Sequence, residues 1–393
     1  MKSSLSESLR TSAARFFFTS QGKTAMMNAD GSGLRYFEFD LPEQVTWAAS
    51  GFFPDGRMLF LSMEERHDGP GKPFSEYYHH TPTHLWAYDP AQDWLEELVT
   101  HQRQAVFMTP QLLLNDGRIL MQVVRDEGGQ VYIMNLDGTD AREVTQVGEG
   151  LPYGFSLSPD GRRMAFHLAR PEGYQIFTSD VDGSNRVLVA QREDCLYFGP
   201  RWSPNGEWLV YQGCRYKQDP GHDWSDLCLG RPDGSELRQL TADQALWFSA
   251  SHGSPEKRGG GSNMPSWTQD GAVLASRRLP GSRVAWEFQA QRPDTDHFNR
   301  DYKPELARGG TEICRFDPDD GSVVSLTHCD PPVWDFRQSE SPDGGHIVFC
   351  RAETGAMPAI WVADADGDNQ RMLTQGVNGL GADHPRWMPQ TTA

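Results

Sequence analysis

Short apolar runs recur along the chain, each bounded by a polar turn that carries Asp-Gly or Asn-Gly. One turn type reads "FFPDGRMLFL", "LLNDGRILMQ", "LSPDGRRMAF", "WSPNGEWLVY", "WTQDGAVLAS" and "ESPDGGHIVF", with its acid or amide at Asp55, Asp116, Asp160, Asn205, Asp270 and Asp343. A second type reads "MMNADGSGL", "IMNLDGTDA", "TSDVDGSNR", "GRPDGSELR", "FDPDDGSVV" and "VADADGDNQ", with "AYDPAQDWL" as a worn copy. The order is strand, turn, strand, connection, strand, turn, strand, repeated. Asp-Gly is a favoured two-residue hairpin link, because Gly accepts positive φ and Asp bonds its own backbone locally. Helical periodicity is almost absent.

Four antiparallel strands in roughly 45 residues, repeated, is the pattern of a β-propeller blade. The units run over about 45–100, 103–147, 150–192, 195–244, 246–329 and 331–377. The first repeat, near 12–40, lacks an inner strand, and the segment 380–393 supplies "GADHPRWMPQ", an inner strand with nothing after it. Joining the two predicts a seventh blade built from N- and C-terminal strands, so the expected fold is an all-β, seven-bladed propeller forming one domain over 1–393. Such closure removes exposed sheet edges.

Composition narrows the function. A net charge of −18 excludes a general nucleic-acid binder, which needs a basic footprint. No apolar run of membrane-spanning length occurs and the first residues lack a signal-peptide core, so a cytoplasmic protein with no membrane or nucleic-acid partner is expected. The six cysteines are scattered without a C-x-x-C pair and read as structural thiols.

The units resemble the TolB-type propeller repeat, whose pattern is close to "SPDG…hhFh…IhhhDhDG…LT". The blades at 150–192 and 331–377 match best, and Leu-Thr follows the second turn at Leu240-Thr241, Leu326-Thr327 and Leu373-Thr374. No Gly-x-Ser-x-Gly nucleophile elbow occurs. The resemblance is specific for architecture and says little of activity.

Long loops are where a propeller binds its ligands. Three stand out: "MEERHDGPGKPFSEYYHHTPTH", "GCRYKQDPGHDWSD" and the region from Arg277 to about Thr311, joined by the glycine-rich "SHGSPEKRGGGSNMP". Strand alternation puts Trp202, Trp267 and Trp387 between blades and turns Arg201, Arg337 with Ser339, and Arg386 with His384 toward the central channel. Arg215, Arg278 and Arg300 are expected at the same rim, as are His79, His80, His84, His222 and His297. Arginine recognises carboxylates through its planar fork, so an anionic ligand is expected.

TolB-like repeats without an attached hydrolase look like those of oligogalacturonate lyases, cytoplasmic propellers with a metal held by histidines and a glutamine. The resemblance implies a lyase acting by β-elimination on a small acidic, uronate-containing oligosaccharide. It would make a divalent metal (manganese, calcium or zinc) the cofactor, with His79, His80, His297, Gln338 and His384 as ligand candidates. In those lyases the last inner strand carries a Gln-x-His-x-His run, whereas "DFRQSESPDG" here keeps only Gln338. β-Elimination needs a neutralised carboxylate, a base and an acid. Arg201, Arg386, Arg215, Arg278 and Arg300 are the substrate-binding candidates; His222 or His84 is the base, Tyr78 or Tyr302 the acid, and Arg337 a further catalytic candidate whose truncation is expected to leave stability intact. Two alternatives stand beside this reading. One is a non-catalytic TolB-like propeller that binds a protein or an anionic ligand. The other is a glycoside hydrolase using Asp223, Asp226, Asp335 or Glu340.

Overall fold

The computed structural model describes residues 14–41, 44–64, 83–90, 92–102, 111–125, 128–170, 172–193, 195–215, 224–246, 263–288 and 300–389. Among them the chain is nearly all β. Helical structure among the described residues is confined to two single 3₁₀ turns, Pro304–Leu306 and Val377–Gly379, and there no helix is long and apolar enough to cross a membrane.

The strands form four-stranded antiparallel meanders. Gln44–Phe52, Met58–Glu64, Thr83–Asp89 and Trp94–Leu98 make one; Trp334–Glu340, His346–Ala352, Ala359–Asp364 and Arg371–Thr374 make another. The units beginning at Leu151–Leu157, Leu196–Trp202 and Ser266–Trp267 follow the same order but are bridged into a larger sheet by short pairings such as Tyr174 with Leu196. The two ends of the chain meet. Asp383–Trp387 pairs antiparallel with Arg15–Ser20, placing Phe16 opposite Trp387 and Phe17 opposite Arg386, in a sheet completed by Lys23–Asn28 and Arg35–Tyr36.

The turns differ from the two-residue hairpin that the sequence suggests. In Ser158-Pro159-Asp160-Gly161 the Gly161 N–H donates to the Ser158 carbonyl at 2.8 Å, so Asp-Gly fills the third and fourth turn positions. Proline at the second position is preset for this turn. Gly161 has φ +68° and takes the left-handed conformation, while Asp160 does not. The Asp160 carboxylate is instead an anchor, accepting from Ser158 Oγ at 2.6 Å and from the Arg162 N–H at 3.1 Å. Asn205 plays the same part for Ser203 Oγ and the Glu207 N–H, at 2.7 and 3.0 Å.

The core follows from the two-residue period of strands with both faces covered. In His346–Ala352, Ile347 and Phe349 pack with Leu274 and Ile313 of the preceding unit. Val348 and Cys350, on the other face, pack with Phe16, Phe18 and Met27 of the composite unit. Phe17 turns the opposite way, against Met58 and Phe60 of the next unit. The second strands are therefore apolar on both sides, and burying one such Phe contributes roughly 2–3 kcal/mol. Five of the six cysteines are buried and all six are free thiols; burial pushes the Cys195 and Cys314 thiols up to about 12, which keeps them protonated and inert.

Candidate functional site

In three units the first strand ends in tryptophan just before its turn, and that indole reaches across to the preceding unit. Trp202 Nε1 donates to the Ser156 carbonyl at 3.2 Å, Trp267 Nε1 to that of Arg201 at 2.9 Å, and Trp387 Nε1 to that of Ser339 at 3.0 Å. Each carbonyl belongs to the residue two places before the preceding turn. Each staple thus fixes the backbone of a residue whose side chain lies on the face opposite the tryptophans.

A β-bulge interrupts these strands between Tyr153 and Ser156, between Phe198 and Arg201, and between Phe336 and Ser339. The residue at the bulge has positive φ: Gly154 at +65°, Gly199 at +65°, Arg337 at +54° and His384 at +58°. These four are equivalent, each four places before Ser158, Ser203, Ser341 or Met388. Glycine is the natural occupant, and at Gly199 a Cβ would lie 2.0 Å from Met264 Sδ. Arginine and histidine hold the same conformation at a cost of order 1–3 kcal/mol, a kind of strain that gathers at functional positions.

Arg337 is only 7% exposed. Its guanidinium is ion-paired with Asp383, and Nη1 lies 3.1 Å from His384 Nδ1. A guanidinium only donates, so Nδ1 accepts and the imidazole proton sits on Nε2. Asp383 also accepts from the His384 N–H at 2.7 Å and from Cys350 Sγ at 3.3 Å, and the Arg337 N–H donates to Asn263 Oδ1 at 2.6 Å. This pairing argues against the expectation that Arg337 can be truncated without loss of stability, since removing it strands a largely buried carboxylate.

Arg201 and Arg386 are different. Arg201 donates only weakly, to the Phe155 and Pro200 carbonyls at 3.4 and 3.3 Å. Neither arginine has an ion pair among the described residues, and there Arg386 Nε is buried with no hydrogen-bond partner, as is Ser339 Oγ. Burial pushes the Arg386 guanidinium down to about 10, and the charges of Arg201 and Arg337 push the same way; burial lowers Arg201 too. Arg386 thus feels the charge of both other arginines, and Arg201 and Arg386 lack a counter-ion among the described residues of a chain of charge −18.

The other sequence candidates that the structure describes are dispersed. Gln338 is committed to the wall: its Oε1 accepts from Ser276 Oγ at 3.2 Å, and its Nε2 donates to the Met264 and Leu274 carbonyls at 3.2 and 3.1 Å. His84 lies 2.6 Å from Glu97 on the outermost strand of its unit. Arg215 pairs with Asp243 at 2.5 Å and approaches Asp226 at 3.6 Å. Arg278 donates to the Ser282 carbonyl at 3.0 Å and covers the Trp224 ring at 4.8 Å. Arg300 and Tyr302 belong to a strand paired with Trp286–Phe288, and their side chains lie outside the described residues. So do Tyr78, His79, His80, His222, Asp223 and His297. The described carboxylates of the hydrolase alternative are engaged as well. Asp335 is held by two Arg351 nitrogens at 2.7 Å each, and Glu340 accepts the Gln269 N–H at 2.6 Å.

Sequence reasoning missed Asp383 and Asn263. The acid stands directly before His384 in "GADHPRW", a visible signal. Asn263 had none, because its partner at Arg337 is 74 residues away.

No protein-family model matches the sequence, and no curated protein matches it. Solved structures do. A putative TolB from Agrobacterium tumefaciens is similar at 15% identity over 97% of this chain and 100% of its own, with a TM-score of 0.45. A puromycin hydrolase is similar at 14% identity and TM-score 0.58 over 93% of this chain, which spans only 54% of that protein. An oligogalacturonate lyase in complex with manganese is similar at 14% identity and TM-score 0.52, over 92% of this chain and 85% of its own. The described donors do not fit a metal such as that lyase's. Gln338 is spent on the wall, His384 Nδ1 faces a guanidinium, and no group of three His, Cys, Asp or Glu side chains that could hold an ion occurs among the described residues. At these identities the likeness is one of fold: the chain is a propeller-like protein, and its repeats resemble the TolB pattern.

Proposed function

We propose that this chain is a carbohydrate-active enzyme built on a closed seven-bladed propeller, and that it cleaves uronate-containing oligosaccharides by β-elimination. The observation that carries the reading is the pair Arg201 and Arg386, two guanidiniums without a carboxylate partner among the described residues, set beside a third. Cores that link each unit to the next, and the last to the first, support the ring. The fold of an oligogalacturonate lyase supports the reaction class.

In this reading Arg201 and Arg386 hold the C5 carboxylate and stabilise the charge that develops as the C5 proton leaves. His384, fixed as its Nε2–H tautomer by Arg337, donates a hydrogen bond to the sugar. Base and acid come from the rim, where His222 and Tyr302 remain the candidates. The protein works in the cytoplasm on a small anionic oligosaccharide. The test is the ultraviolet absorbance of unsaturated product on a panel of uronate oligomers. Anion binding without product would favour the non-catalytic propeller, with a protein or anionic partner, because guanidiniums without a counter-ion serve binding equally well.

A further inference from the structure

We infer that the cluster of Arg201 and Arg386 neutralises its anion with guanidinium groups alone, as a site that works without a metal ion. The identity of the anion as a uronate carboxylate rests on the reading above; the mode of neutralisation does not. Three observations lead here. Arg337 already has its counter-ion in Asp383, so its charge is internally balanced. Arg201 and Arg386 have no ion pair among the described residues, and the field of the neighbouring guanidiniums acts on Arg386. Buried polar groups point the same way: Arg386 Nε and Ser339 Oγ are both donors without an acceptor among the described residues.

A divalent cation placed here would meet two positive charges with no counter-ion among the described residues, where no group of three His, Cys, Asp or Glu side chains stands ready to hold it. A carboxylate meets the opposite: planar donors of fixed geometry and two buried donors, Arg386 Nε and Ser339 Oγ, with no acceptor among the described residues. Desolvation that makes the empty site costly strengthens the interaction once an anion enters. The carbonyl staples hold the spacing, since Trp267 fixes the Arg201 backbone and Trp387 fixes that of Ser339.

The experiment is calorimetric titration of the full chain with a uronate disaccharide, its neutral hexose counterpart and inorganic sulfate, each with and without a chelator. The uronate is expected to bind and the neutral sugar to fail, with affinity unchanged by chelation. Arg386→Gln and Arg201→Gln are each expected to weaken binding by roughly tenfold or more. Both variants should melt no lower than the parent, because each removes an uncompensated charge, and Arg386→Lys serves as a charge-retaining control. Binding that disappears with chelator and returns with manganese would overturn the inference. So would the absence of binding by either anion. Sulfate binding without uronate binding would support the anion site and sink the uronate reading, while uronate binding without product would sink only the lyase.

Discussion

Arg337 Nη1 and His384 Nδ1 stand 3.1 Å apart, and both residues hold left-handed backbone at the same bulge position of two packed strands. Two neighbouring units elsewhere use glycine there, at Gly154 and Gly199. The substitution converts a backbone device for bending a strand into a pair of inward polar groups. Asp383 then completes the arrangement by balancing the arginine.

Arg337→Ala is expected to destabilise the fold by about 3 kcal/mol, since it leaves Asp383 without its charge partner. The double variant Arg337→Ala/Asp383→Ala should recover part of that loss, as contacting residues do not add. Thermal melting of the three variants checks this; an unchanged Tm for the single variant would show that the pair contributes nothing.

The turn aspartates make stability fall in acid. Asp30, Asp137, Asp160, Asp182 and Asp233 all lie below their ordinary value of 3.8, first because a neighbouring Ser or Thr hydroxyl donates to each. A depressed carboxylate pKa stabilises above the unfolded value, and that contribution is lost as pH falls through the lower folded value. Tm should therefore drop as pH goes from about 4 toward 2. Asp160→Asn should be tolerated, because Asn205 already makes the same turn with an amide. A Tm independent of pH in that range would refute the account.

Trp387→Phe keeps an apolar ring against Phe16, whose centroid lies 5.4 Å from the indole in an edge-on contact, but leaves the Ser339 carbonyl without its donor. A loss of about 1 kcal/mol is expected in denaturant unfolding. Anion affinity should also weaken, because Ser339 would no longer be held at its height. Trp94→Phe, at an exposed position, is the control and should change neither.

Hairpin chemistry is legible in the residues themselves. Six copies of one turn motif predict the strands that flank them, and alternation puts Trp202, Trp267 and Trp387 on the side that faces a neighbour. Gln338 marks the limit of such patterns. Its residue type suggests a ligand, but its amide is consumed by Ser276, Met264 and Leu274, all of the preceding unit. The turn type also departs from the two-residue expectation: Asp-Gly fills the third and fourth places with proline at the second, in Ser158–Gly161, and without it, where the Gly117 N–H donates to the Leu114 carbonyl and the Gly271 N–H to that of Thr268.

Residues a few positions apart settle a turn and the period of a strand, so repetition, strand order and the side chains sharing a face were determined by the chain alone. Which arginine is balanced and which has no ion pair among the described residues depends on partners that strand pairing and sheet packing bring together. Arg337 meets His384 across 47 residues, whereas the charged groups acting on Arg386 are themselves cations. Charge balance is a property of neighbours in space, and only the folded arrangement chooses them.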